Sequence, residues 1–295
     1  MNEETRRWQW ISHIILASIS IFCIIPFVLL VISSFTDEMS ILQNGYSFFP
    51  EKFSTQAFVY LWEQKNQLIR AYGITIFVTV VGTITGLAFT ALLAFPLSRK
   101  EFPFGKIITF LVFFTLLFNG GLVPTYYVYT QVFDIKNTIW ALIVPVLLVN
   151  GFNVLLMRTF FANTIPDAVL ESARIDGAGE FRTFFAIVLP MSLPILATIG
   201  LLQTIMYWND WMNGLIYLTD PSLYSIQNIL NRILTDIQFL TSNSDYAAQS
   251  GEAISQLPSA TIRMAIAVVG ILPIIIAYPF FQKYLIKGIA IGSVK

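Results

Sequence analysis

Apolar positions gather into six long runs along this chain, with the polar and charged residues collected between them. The runs cover residues 11–35, 71–97, 107–127, 139–157, 189–218 and 261–286. Each is close to or above the roughly 20 residues that a helix needs to cross the hydrocarbon of a bilayer. Backbone N–H and C=O groups in hydrocarbon must be bonded inside their own segment, so the runs predict spanning helices. Pro26, Pro124, Pro145, Pro273 and Pro279 lie within them and predict kinks or ends. The first run follows Arg6 and Arg7, as the apolar part of a signal peptide would. Its length suits a full span and no clean small-x-small cleavage pattern follows, so it is expected to remain as the first helix.

Composition supports the membrane and excludes several chemistries. The chain is 56% hydrophobic and only 12% charged, with a mean hydropathy of +0.71. A soluble chain carries about twice that charged fraction. The formal net charge is zero, which gives no field to attract a nucleic acid. Cys23 is the only cysteine and His13 the only histidine. Without a CxxC or HExxH spacing, neither a metal site nor a His-based triad is expected. With the N-terminus placed in the cytoplasm, eleven of the 17 Lys and Arg fall inside and six outside, the direction that positive-inside placement requires. Six spans then leave both termini cytoplasmic.

The segments between the runs differ in kind. Residues 36–70 carry Phe48, Phe49, Tyr60 and Trp62 and read as an outer strap at the interface, where such rings are favoured. Residues 220–260 are rich in Ser, Asn and Gln, long and polar enough to meet a partner outside. Residues 99–106 form a short basic inner loop.

The inner segment 165–190 carries the most information. It reads Ile-Pro-Asp-Ala-Val-Leu-Glu-Ser-Ala-Arg-Ile-Asp-Gly-Ala-Gly-Glu-Phe-Arg-Thr-Phe-Phe-Ala-Ile-Val-Leu-Pro. Pro166 and Asp167 suit a first helical turn, since Pro fixes φ and Asp complements the positive end. Glu171 and Arg174 stand three apart and are placed to pair on the helix surface. Gly177 and Gly179 break that helix. Phe181, Phe184, Phe185 and Val188 predict a second helix with one apolar stripe, and Pro190 is expected to open the next span. The outcome is a compact helix–turn–helix on the cytoplasmic face.

This segment resembles the EAA loop of the permeases of binding-protein-dependent ABC importers. That pattern is Glu-Ala-Ala, three residues, Gly, nine residues, Ile-x-Leu-Pro. Glu171, Ala173, Gly177, Ile187, Leu189 and Pro190 fit at those distances, with Ser172 in place of the middle Ala. One additional helix before a five-helix core, and the ending Lys-Gly-Ile-Ala-Ile-Gly-Ser-Val-Lys at 287–295, carry the resemblance over nearly the whole chain. They point to the maltose-type carbohydrate subfamily, and within it to permeases for aldouronate, alginate-type or other complex oligosaccharides.

The resemblance implies an all-α membrane protein of six transmembrane helices. Residues 1–70 would hold the N-terminal helix and strap, 71–288 the ABC importer permease core with its coupling-helix loop, and 289–295 a cytoplasmic tail. It implies the cytoplasmic (inner) membrane of a prokaryote. It also implies partners: a second homologous permease in a heterodimer, two ATP-binding cassette subunits and an extracytoplasmic solute-binding protein. In that family the first helix of the loop docks in a cleft of the ATPase, whose closure swings the spans from inward-open to outward-open. Glu171, Ser172, Ala173, Asp176 and Gly177 are then the expected ATPase-coupling residues. No GxxxxGKS/T run is present, so the chain is expected to be no enzyme and to hold no cofactor; ATP and Mg would belong to the partner ATPase. The blander alternative for the loop is an amphipathic connector with no partner.

A carbohydrate site is expected where polar groups reach membrane depth. Tyr207, Trp208, Asn209, Asp210 and Asn213 end the fifth run, with Trp208 about 27 Å of helix beyond Pro190. Rings stack on the C–H faces of sugars while amides and acids bind their hydroxyls. Asn119 and Asn153 lie deeper and complete the candidate set, with Asn150 and Gln203 nearby in depth. An aromatic belt with polar helix ends accounts equally for the cluster, and interhelical hydrogen bonds for the deeper amides. Two rival functions stay open: an ABC permease for a non-sugar solute such as a peptide or phosphate, and an ion-coupled secondary transporter. The latter would want charges at mid-membrane and often an inverted repeat, whereas the acids here lie mainly in loops.

Overall fold

A computed structural model describes residues 3–242 and 260–276. Part of the polar outer segment (243–259), the second half of the sixth run (277–286) and the 287–295 ending lie outside the described residues. All regular structure among the described residues is helical, and Thr36 and Phe53 form an isolated antiparallel bridge. By packing the chain divides into two units. One holds residues 3–68, 230–242 and 260–276; the other holds 69–229.

In chain order, α1 (Glu3–Ser34) takes in almost the whole first run, and Pro26 does not end it. Its 32 residues give a rod of about 48 Å, longer than the roughly 30 Å of hydrocarbon in a bilayer. Residues 8–28 are exposed throughout, including Trp10, Phe22 and Phe27. The strap folds into α2 (Glu38–Asn44) and α3 (Gln56–Glu63), with Phe49 and Trp62 outward. α4 (Lys65–Ser98) covers the second run and starts six residues before it.

The third and fourth runs are not single helices, contrary to the hydropathy pattern. α5 (Gly105–Leu117) and α6 (Leu122–Tyr127), the latter extended by the π-helical turn Val128–Val132, meet at a bend of 117°. Gly121, with φ +88°, makes that corner. In the fourth run α7 is only the four residues Trp140–Ile143, and α8 (Gly151–Thr164) restarts after an irregular stretch. Pro145 cannot continue α7, and Val146 follows it at φ +65°. Asn150 then caps α8, its side chain accepting from the N–H groups of Phe152 and Asn153 at 3.0 and 3.3 Å. Apolar content measures avoidance of water, and it is blind to these breaks.

α9 (Asp167–Ile175) leads to α10 (Glu180–Thr183), which runs through the π-helical turn Phe184–Val188 into α11 (Leu189–Met191). α12 (Leu193–Trp208) departs at 82°. Pro190 therefore lies inside the incoming helix, and Pro194, in the first turn of α12, opens the span instead. α13 (Met212–Tyr217), α14 (Ile226–Ser242) and α15 (Ala260–Ile276) complete the described order. Among the described residues two helices are long and apolar enough to cross a membrane unaided, Trp8–Ser34 and Lys65–Ser98. The two bent pairs each have the length and composition of a broken span or a re-entrant loop.

The core of the 69–229 unit joins Ala94 and Phe95 of α4 to Val154 and Met157 of α8, Leu170 of α9, and Val188 with Ile199. Two glycines bring α4 close to α12. A Cβ on Gly82 would meet the Tyr207 ring at 2.5 Å, and one on Gly86 would meet Gln203 Nε2 at 2.7 Å and the Leu148 carbonyl at 2.9 Å. Small residues at such places let helix backbones approach where lipid supplies no hydrophobic drive. In the other unit, the Glu38 carboxylate accepts from Ala260 N–H, Thr261 N–H and Thr261 Oγ1 at 2.8, 2.9 and 2.8 Å. It thereby satisfies first-turn donors of α15 that have no partner within the helix.

Candidate functional site

α9 has one seated face and one free face. Leu170 and Ala173 are buried, while Glu171, Ser172, Ile175, Asp176 and Gly177 are exposed. The helix closes in a Schellman motif: Ala178 N–H reaches Ala173 O at 2.9 Å and Gly177 N–H reaches Arg174 O at 3.0 Å. That closure puts Gly177 at φ +77°, with nothing within 4 Å of where a Cβ would stand. Glycine is required here by the backbone and not by lack of room.

Charge fixes both ends of α9. Asp167, its first residue, lies 3.7 Å from Arg99 and 3.9 Å from Lys100. Arg174 does not pair with Glu171 as the spacing suggested. Its Nη1 donates to Glu101 at 2.6 Å and its Nη2 to Glu180 at 3.2 Å. Two carboxylates from neighbouring segments satisfy the planar guanidinium fork better than one carboxylate on the same helix. The hydrogen bond from Arg174, then its charge, holds the Glu101 carboxyl below the usual carboxylate range. The Arg174 guanidinium is correspondingly pushed up, chiefly by its hydrogen bond to Glu101. The expected stripe on the second helix also divides: Phe184 and Val188 are buried, but Phe181 and Phe185 are exposed. The π-helical turn at 184–188 widens the helix and takes the stripe out of register.

The aromatic and amide cluster after α12 is drawn partly inward. The Tyr207 hydroxyl donates to the Ile143 carbonyl at 2.9 Å, and Asn213 Nδ2 to the Pro145 carbonyl at 3.1 Å. Both carbonyls belong to the broken fourth run, where the lost helix leaves acceptors that need partners. Asp210 Oδ1 accepts from Asn213 N–H at 3.2 Å in the first turn of α13, and Trp208 is buried. Asn209 is exposed and turns Nδ2 to Ile205 O at 2.9 Å. Asn119 sits in the α5–α6 corner, exposed, and accepts from Gly121 N–H at 2.9 Å. Asn153 is buried in α8 with its Nδ2 unbonded, and both side-chain polar atoms of buried Gln203 are unbonded as well. Among the described residues no group of three or more His, Cys, Asp or Glu is placed to hold a metal.

Residues 4–291 match the family described as "Binding-protein-dependent transport system inner membrane component". The chain belongs to this family. It is 34% identical over 292 residues to the polygalacturonan/rhamnogalacturonan transport system permease protein YtcP of Bacillus subtilis, with 99% of each chain covered. It is 35% identical over 282 residues to Protein LplC of the same organism, covering 95% of this chain and 92% of that one. Among solved structures, a bacterial ABC transporter involved in the import of the acidic polysaccharide alginate has a chain 26% identical to this one. It aligns with a TM-score of 0.77 over 96% of this chain and 98% of that chain.

The chain is therefore an inner-membrane permease of ABC transport, and α9 with its contact to the α4–α5 turn holds two features that sequence reasoning passed over. Ile175 is 86% exposed, a large apolar side chain standing beside the Gly177 turn. An apolar residue interrupting the polar face of a short amphipathic helix was the available signal. Glu101 was read only as part of a basic loop, and no local pattern indicates that its partner lies 73 residues onward.

Proposed function

We propose that this permease is one of two related membrane subunits of an ATP-driven importer that carries an oligosaccharide into the cytoplasm. The observation that carries the proposal is the free face of α9, where Glu171, Ser172, Ile175, Asp176 and Gly177 stand outside a well-seated helix. Ala173, buried, helps to seat it. That face docks in a cleft of a separate ATPase subunit, of which the assembly has two, and those subunits bind ATP and Mg. An extracytoplasmic binding protein delivers the solute. Carbohydrate as the solute is supported by the relatives, whose names include polygalacturonan/rhamnogalacturonan and arabinooligosaccharides, and by the imported alginate of the structural neighbour.

The chain crosses the membrane six times with both termini inside. α1 and α4 each span, as do the α5–α6 pair, the interrupted 139–164 segment, the α10–α12 pair and the run that begins at α15. Residues 1–70 form the N-terminal helix and strap, 71–288 the permease core and 289–295 the tail. Of the candidate sugar contacts, Trp208, Asn209, Asp210 and Asn119 belong to the path, together with Asn153. Tyr207 and Asn213 shape it through the carbonyls they hold.

Gly177→Asp tests the docking. Aspartate visits the left-handed region more readily than most residues, and Gly177 has open space around it. The variant is expected to reach the membrane at normal level, to lose co-purifying ATPase and to lose uptake. Normal uptake by that variant would end the docking proposal. Trp208→Ala and Asn209→Ala are expected to weaken uptake while the ATPase still co-purifies; unchanged transport kinetics in both would remove them from the path.

A further inference from the structure

We propose that the Glu101–Arg174–Glu180 bridge makes the 99–104 turn and the end of α9 move as one piece, so that a pull on α9 is delivered to the C-terminal end of α4. Arg174 is in this sense a positioning residue, and its role rests on the docking proposal above.

Four observations combine. The bridge is the shortest charged contact in the region, 2.6 Å to Glu101, and the same guanidinium holds Glu180 at 3.2 Å. It therefore links three segments: the α4–α5 turn, α9 and α10. The other end of α9 is tied to the same turn, through Asp167 with Arg99 and Lys100. The turn itself is stiff, since Arg99 N–H bonds Pro96 O at 3.1 Å and Gly105 N–H bonds Phe102 O at 3.1 Å. Arg158 Nε on α8 closes the α4 end by donating to Leu97 O at 2.8 Å.

What lies beneath the bridge makes it matter. An open cavity of about 460 Å³ is bordered by Leu92, Phe95, Phe102, Phe181 and Phe184, and by the charged residues of the bridge. Leu170 seats the first half of α9 in the core. Past Ala173 the cavity opens between the end of α9 and α4, and the ion pairs bridge it beside the Phe95–Phe184 ring contact at 5.3 Å. An exposed ion pair contributes little to folding. A shared, two-carboxylate guanidinium still restricts relative motion, because its fork fixes direction as well as distance.

The test uses the assembled transporter with Arg174→Gln, Glu101→Gln, the double variant and Arg174→Lys. Three quantities are read: uptake per ATP hydrolysed, recovery of the ATPase, and hydrogen exchange of residues 99–104. Each single variant is expected to lower uptake per ATP roughly fivefold, with ATPase recovery unchanged and exchange at 99–104 faster. The double variant is expected to be no worse than Arg174→Gln alone, since that variant already breaks both arms of the bridge. Arg174→Lys is expected to fall between, keeping the charge but not the fork. Unchanged exchange at 99–104 overturns the link, and faster exchange with unchanged uptake per ATP overturns its role in coupling. Loss of the ATPase from the Gln variants also overturns it, assigning Arg174 to assembly. Gly177→Asp, run alongside, separates the two proposals: if that variant transports normally, the docking proposal fails, whatever the exchange at 99–104 shows.

Discussion

α1 and α4 are nearly equal in length, 32 and 34 residues, and both are apolar enough to span a bilayer. Their surroundings within the chain are opposite. None of the spanning window of α1 is buried, whereas a third of that of α4 is, 33%. α1 offers bulky side chains all round and keeps its hydroxyls to itself, Ser12 bonding Trp8 O and Ser20 bonding Leu16 O. α4 places Gly82 and Gly86 against α12 and joins it through Thr83 and Thr204 at 3.3 Å. Hydropathy thus says that a helix leaves water, while small residues say where it meets protein.

The strongest test of that contrast is a pair of enlargements. Gly86→Leu must displace Gln203 and the Leu148 backbone. A cost of about 3 kcal/mol or more is expected, seen as loss of the permease from membranes and of uptake. Ala17→Leu on exposed α1 is expected to change neither. An equal loss there would mean that another chain covers α1. Next in size is Tyr207→Phe, which strips the Ile143 carbonyl of its donor. About 1 kcal/mol of stability is expected to go, read as a lower melting temperature in detergent. If that variant melts like the parent, the broken fourth run does not depend on Tyr207. A comparable or smaller loss is expected from Glu38→Gln, which removes the charge from the first turn of α15. It should appear as faster hydrogen exchange near residue 261, and unchanged exchange there would rule out the cap as a stabilising contact.

The smallest effect is one of pH. The Glu101 carboxyl is held below its ordinary range by Arg174, so its contribution is fully present above the unfolded carboxylate value. It is lost as pH falls through the lowered one. Protection of residues 99–104 should hold from neutral pH to about 5 and decline only under stronger acid. A decline already at pH 6 would mean that another group controls the turn.

How much of this was legible beforehand depended on range. The bounds of α9 in the 165–190 loop follow from local chemistry: Pro166 and Asp167 begin it, and Gly177 ends it where the spacing placed it. The C-terminal ends of α1 and α4 follow from hydropathy, whereas both helices begin before their apolar runs, by eight and six residues. The break at 118–121 did not follow, because a run averaged over 20 residues hides the residues that redirect it; the break at 144–150 was marked by Pro145, though not its extent. Asn150 looked like a polar group at depth and proves to be a helix cap. Tyr207 and Asn213, expected from sequence to meet sugar, each hold a carbonyl more than 60 residues away, a role no local pattern announced. Such pairings are decided by tertiary packing, and no window of sequence contains both partners. Arg174 shows the same limit in charge: its neighbour at i−3 was visible, and its partner Glu101 was not.

The Schellman closure at Gly177 has a consequence for the free energy of association. α9 and its turn are already hydrogen-bonded within the chain, so a protein seating on that surface orders little of it. Fixing the backbone of a loose loop would cost about 1–2 kcal/mol for every residue ordered. A surface that arrives folded forgoes that cost at each encounter.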